Sequence, residues 1–158
     1  MTRYAKDTSV SSAKSRQEIE TTLERYGADQ FIYGWDGDRA LVGFRMKGRQ
    51  IKFVLPMPDK SLREFTHTPS QNQQRSPEAA LAAWEQACRQ RWRALSLFIK
   101  AKLEAAESGI TVFDDEFMAH IVLPSGETFG AWARPQIESA YLTGDMPALL
   151  PAPGGNHD

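Results

Sequence analysis

Apolar residues recur along this chain with two different periods, and the change from one to the other marks its elements. Ile19, Leu23 and Tyr26 stand three and four apart, the spacing of one helical face. Ser15 with Glu18 has capping-box spacing and Gly27 suits a left-handed stop, so a first helix is predicted from about Ser15 to Tyr26. The period then drops to two. Phe31 to Trp35 is rich in β-formers and runs into Asp36-Gly37, a tight-hairpin dipeptide. Ala40, Val42, Phe44 and Met46 alternate, and Lys47-Gly48 turns the chain again. Gln50 to Leu55 then places Ile51, Phe53 and Leu55 on one face before Pro56 and Pro58 end the ladder. A three-strand antiparallel meander is expected.

Thr66 to Ser76 is polar, proline-containing and without periodicity, so a flexible surface loop is expected over 66–76. It does not divide the chain, because a meander with one open apolar face needs the following helix to cover it. That helix has strong signals: Ser76 as N-cap, Pro77 at the first position and Gly109 as the stop. Between them an apolar stripe runs from Leu81 through Trp84, Cys88, Trp92, Leu95, Ile99 and Leu103 to Ala106. Over residues 77–108 it spans about 48 Å, longer than a three-strand sheet is wide. A break or a protruding end is expected, and either could meet a partner.

Beyond Gly109 the pattern weakens. Ile110 to Phe113 reads as an extended connection, and Asp114, Asp115 and Glu116 as an acidic turn. A small hairpin follows, His120–Leu123 and Thr128–Trp132 about Ser125-Gly126, with a last short helix from Pro135 to about Tyr141. Met146 to Pro151 sets Met146, Leu149 and Leu150 between prolines, an apolar hook. The expected fold is therefore α+β: a β-meander covered by a long helix, with a C-terminal hairpin and short helix. One domain over 13–151 is expected, with a flexible N-terminus over 1–12 and a disordered tail over 152–158.

Composition adds boundaries. The chain has 158 residues and a single cysteine, Cys88, which excludes an internal disulfide and a cysteine-built zinc site. Its first dozen residues lack the apolar core of a signal peptide, and no apolar run approaches a membrane span. A cytoplasmic location is expected. The net charge of −1 hides a split: residues 1–102 hold 18 Lys/Arg against 11 Asp/Glu, and residues 103–158 hold one against nine. Such a split suits an anionic partner, or two faces that meet each other within the fold.

Between Arg89 and Lys102 there are five positive charges, Arg89, Arg91, Arg93, Lys100 and Lys102, and no acid. The outer face of the meander adds Arg39, Arg45 and Lys52. Clusters of this kind attract phosphates, and aromatic neighbours stack unpaired bases, with Phe31, Tyr33 and Trp35 as candidates. The competing reading makes Trp84 and Trp92 core residues and the cations a solvated rim. Asp114, Asp115 and Glu116 with His120 could be taken for a metal or acid–base cluster. Consecutive acids point apart, however, and complementing a helix N-terminus is their commoner role. The sequence holds no nucleophile elbow, phosphate loop, dinucleotide fingerprint or metalloprotease motif, and Cys88 lies on the apolar stripe. No catalysis, cofactor or metal is expected.

Several stretches, namely Tyr4–Val10, Arg25–Ala28, Arg63–Pro69, Gln86–Leu103 and Met146–Pro151, together resemble a family of small hypothetical proteins of tailed phages and prophages. The resemblance covers most of the chain. It implies a phage protein acting in the cytoplasm of a bacterial host, and it carries no activity or site residues with it. The order of meander and long basic helix is also similar to that of single-strand annealing proteins of recombination, a likeness of topology alone. The expected function is a non-enzymatic accessory protein that binds nucleic acid, single-stranded by preference. Its rival is a protein-binding module that inhibits or redirects a host or phage protein through Asp114, Asp115 and Glu116. A homo-oligomer is expected as well, packed through the far end of the stripe, Ile99 to Ala106.

Overall fold

The structure, a computed structural model, describes residues 8–146. Its elements are α1 (Ser12–Arg25), β1 (Gln30–Asp36), β2 (Arg39–Met46), β3 (Arg49–Pro56), α2 (Arg63–Thr66), α3 (Pro77–Glu107), α4 (Phe113–Phe117) and α5 (Phe129–Thr143). The α+β class expected from the two periods is the one observed. The tail predicted as an apolar hook lies outside the described residues except for Met146.

The three strands form one antiparallel sheet in the order β1-β2-β3. At the β2–β3 turn both central residues have positive φ, 52° at Lys47 and 72° at Gly48, a turn whose twist matches that of the flanking strands. Register places Phe31 opposite Phe44, and Phe44 opposite Ile51. Phe31, Tyr33 and Trp35 therefore share the inner face with Ala40, Val42, Phe53 and Leu55. Ile32, Gly34, Gly43, Arg45 and Lys52 face outward.

Helices α1 and α3 lie side by side on the inner face. Ile19 and Leu23 of α1 and Trp92, Leu95, Ile99 and Leu103 of α3 join the buried strand residues in one core. The first helix starts earlier than its capping-box spacing suggested: the Ser11 hydroxyl caps it by accepting from the Lys14 amide at 3.1 Å. Ser15 is fully buried instead, and among the described residues its hydroxyl has no hydrogen-bond partner. Both long helices close the same way. Gly27 and Gly109 take left-handed φ of 101° and 80°, and the amides beyond them return to the Leu23 and Ala105 carbonyls at 2.9 and 3.0 Å. Helix α3 runs unbroken for 31 residues, about 46 Å. Its first turns outrun the sheet, and no described helix is long and apolar enough to cross a membrane.

Three expectations are corrected. The acidic turn is the helix α4, whose Phe113 and Phe117 close over the core. Ile99 and Leu103 are thereby buried, which removes the stripe's far end as a route to self-association. The surface segment over 66–76 carries bonds of its own: Arg75 donates its amide to the Thr66 carbonyl at 2.7 Å, and Thr68 and Gln73 exchange backbone and side-chain bonds. The hairpin after His120 shrinks to single bridges, Ile51 with Ile121 and Val122 with Thr128. Its second strand is the start of α5, because the Thr128 hydroxyl accepts from the Ala131 amide at 3.2 Å and caps a helix that Pro135 does not begin but lies within. Gly130 is required there. A Cβ at that position would lie 2.9 Å from the Ala119 carbonyl oxygen.

His120, in a 3-10 turn beside α4, is half-buried with its ring 4.2 Å from Phe53. Burial, and after it the Lys102 ammonium, hold its pKa below the ordinary histidine value, while a hydrogen bond with the Lys52 backbone opposes them. The unfolded chain therefore binds a proton that the folded one refuses. Stability should fall as pH drops below about 6.5, down to the lower folded value. Thermal melts between pH 8 and pH 5 should show this slope for the parent and lose it for His120→Phe; equal slopes in the two proteins would exclude His120 as its source. Carboxylates with lowered pKa, Glu116 beside Lys102 and Asp29 beside Arg45, act only at more acid pH.

Candidate functional site

The residues expected to bind nucleic acid do not form one basic face. Arg45 is held by Asp29 through two bonds of 2.9 and 2.8 Å, and Arg39 by Asp36 at 2.9 Å. Arg93 is paired with Glu18, which ties α3 to α1. Lys102 donates to the Glu116 carboxylate at 2.9 Å and to its carbonyl at 3.0 Å. Arg49 meets Asp114 at 3.2 Å. Part of the charge split is thus spent on binding the acidic lobe to the basic one, and of the three neighbouring acids Asp115 alone has no ion pair among the described residues. Lys52 lies on the outer face and Lys100 is exposed on α3, each away from the other. Arg89 and Arg91 differ from the paired set: Arg91 donates to the Pro56 carbonyl at 2.9 Å, and Arg89 to the Gln86 side-chain oxygen at 3.1 and 2.5 Å. Those acceptors are neutral, and neither cation has an ion-pair partner among the described residues.

Arg89, with the paired Arg39, lines a cleft of about 810 Å³ that sequence reasoning did not assemble. It opens where α3 outruns the sheet, between the β1–β2 turn, the start of α1 and the connection from β3 to α2. Alternation in β1 carries Tyr33 and Trp35 onto the inner face beyond the reach of the apolar stripe of α1, so they wall a cavity where Phe31 packs on the core. Trp92 forms the floor, 3% exposed and edge-on to Tyr33 at 5.5 Å. Trp84 supplies the opposite wall, its indole N–H donating to the Pro58 carbonyl at 2.6 Å. Trp35 is 78% exposed, with its N–H bonded to the Tyr33 hydroxyl.

Cations rim the aromatic walls. The Arg16 guanidinium lies 4.8 Å from the Tyr33 ring and 5.1 Å from Trp92, and the Lys60 ammonium 4.3 Å from Trp84, all within cation–π range. Neither has a carboxylate ion-pair partner among the described residues. Acids are present too: Asp38, Asp59 and Glu85 line the same cleft. Asp59 is engaged by the Ser61 hydroxyl and amide at 2.7 and 2.8 Å, bonds that hold its pKa below the usual carboxylate value.

Cys88 lies at the bottom, and burial pushes its thiol pKa up against the pull of Arg91, Lys60 and Arg89. It remains a protonated thiol at neutral pH, a weak nucleophile. Among the described residues no three His, Cys, Asp or Glu side chains converge as metal ligands. The arrangement can stack a planar ring and attract an anion beside it. The signal that could have found it was the mismatch between helix length and sheet width, read together with Trp84 on the overhanging end.

No protein-family model, no curated protein and no solved structure matches this chain.

Proposed function

We propose that this chain is a non-enzymatic binder of single-stranded nucleic acid, which takes unstacked bases into the aromatic cleft and their phosphates onto its cationic rim. One observation carries the reading. Aromatic faces and three cations without an ion-pair partner among the described residues, Arg16, Lys60 and Arg89, line one concave place and are not strung along the length of α3. Base–aromatic stacking needs a base outside a duplex, which favours single strands, and the cations of the rim supply the salt-dependent part of the affinity. In the setting that the phage resemblance implies, such a protein would handle single strands during replication or recombination.

Fluorescence anisotropy with labelled single- and double-stranded oligonucleotides, at low and moderate salt, tests it. Binding should prefer the single strand and weaken as salt rises. Trp35→Ala should reduce affinity by about 1–3 kcal/mol, or about 5- to 150-fold, with an unchanged melting temperature because so exposed a side chain adds little to the core. Arg45→Ala, remote and already paired, should change little. The protein-partner reading now rests on exposed apolar residues of α5, Ile137, Tyr141 and Leu142, and no longer on the acids. Absence of oligonucleotide binding even at low salt, with a stoichiometric protein partner recovered after nuclease treatment, would move the conclusion there.

A further inference from the structure

Beside the aromatic cleft lies a second, shallower hollow of about 540 Å³, lined by Thr8, Ser9, Ser11, Gln86 and Arg89. Ser11 and Arg89 line both hollows, so they form the ridge between them. The two places differ in chemistry. The larger is walled by rings, whereas the smaller is bounded by hydroxyls, an amide and the Arg89 guanidinium.

Arg89 is fixed on this ridge through a relay. Its Nε and one terminal nitrogen donate to the Gln86 oxygen, and the Gln86 amide nitrogen donates to the Thr8 carbonyl at 2.8 Å. The guanidinium carries five N–H donors, and the two bonds to Gln86 leave the others available. Because Gln86 is neutral and no carboxylate among the described residues pairs with Arg89, the charge is oriented without being cancelled. A fixed, uncancelled guanidinium between a ring-lined seat and a polar seat suits a phosphate with a nucleoside on each side.

Building on the reading of the cleft as a seat for a base, we propose that Arg89 anchors one phosphodiester and that the unit recognised is a dinucleotide step. One base stacks in the aromatic cleft, the bridging phosphate sits on Arg89 and Ser11, and the second nucleoside occupies the polar hollow. Affinity therefore rises sharply between one nucleotide and two.

Tryptophan quenching or calorimetry with short ligands reads this directly. A dinucleoside monophosphate should bind at least tenfold more tightly than either of its mononucleotides. The same dinucleotide with an uncharged methylphosphonate bridge should lose that advantage, a comparison that needs no protein variant. Arg89→Gln, checked for an unchanged circular dichroism spectrum, should bring dinucleotide and mononucleotide to the same affinity. Equal binding of mononucleotide and dinucleotide, or a methylphosphonate bridge that costs nothing, would overturn the dinucleotide step and leave base binding in the cleft standing. Failure of every ligand, long oligonucleotides included, would overturn both.

Discussion

A Phe117→Ala protein should unfold at a midpoint about 6–20 °C below that of the parent. Phe117 is fully buried and touches three neighbouring rings, Phe113 at 4.9 Å, Phe44 at 5.9 Å and Phe53 at 6.3 Å between centroids. It belongs to a helix of five residues, too short to hold itself, so α4 stays in place because this ring is clasped between sheet and α3. Truncation to alanine leaves a hole among those rings, at a cost of about 3–5 kcal/mol. That is a large share of the roughly 5–15 kcal/mol separating a domain from its unfolded chain, and about 2–4 °C per kcal/mol applies at this size. Loss of α4 also frees Lys102 and Arg49 from their acidic partners. Calorimetry supplies the check: a shift of under 3 °C would mean that α4 is not needed to close the core.

Trp92→Ala should cost a similar amount, about 3–5 kcal/mol, and should abolish ligand binding at temperatures where the variant is still folded. Trp92 belongs to two structures at once. One side of the indole is part of the core with Leu95 and Val42, and the other is the floor on which Tyr33 stands edge-on and over which Arg16 lies. Trp92→Phe keeps an aromatic floor of smaller area and should recover most of the stability and only part of the affinity. Urea denaturation, compared at constant m, reads the stability; oligonucleotide anisotropy well below the transition reads the binding. Full affinity in Trp92→Ala would remove the cleft from the function. Loss of affinity in both variants with no loss of stability would remove Trp92 from the core.

The parts of this fold that the sequence makes plain are those where local chemistry and tertiary packing ask for the same residues. The meander is one: alternation from Ala40 to Leu55 and the glycine turns at 37 and 48 each specify strands, and the sheet buries the face they predict. The limits of α3 are another, since Ser76, Pro77 and Gly109 are sufficient caps without help from elsewhere. Between His120 and Trp132 the two levels disagree. Val122, Phe129 and Trp132 read as strand residues, but the Thr128 cap and the close approach of Gly130 to Ala119 decide for a helix. The site was hidden for a different reason. A row of cations on one helix does not reveal which of them are cancelled, and the cancelling acids are remote: Glu18 lies 75 residues from Arg93, and Asp114 65 residues from Arg49. Nor does periodicity say where a long helix leaves the sheet beneath it, and the cleft is made at that place.

Helix α5 is held differently from everything else. Of its 15 residues only Ala133 is buried, while Tyr141 and Leu142 are 88% and 82% exposed, and its main packing is against the 3-10 turn at 118–120. The free energy needed to open such a segment is far below that of the whole domain. Two tiers of cooperativity are therefore expected, a body that carries the cleft and a C-terminal arm that detaches and returns without passing through the unfolded state. Backbone amides near Leu142 should exchange with solvent long before those around Ile99.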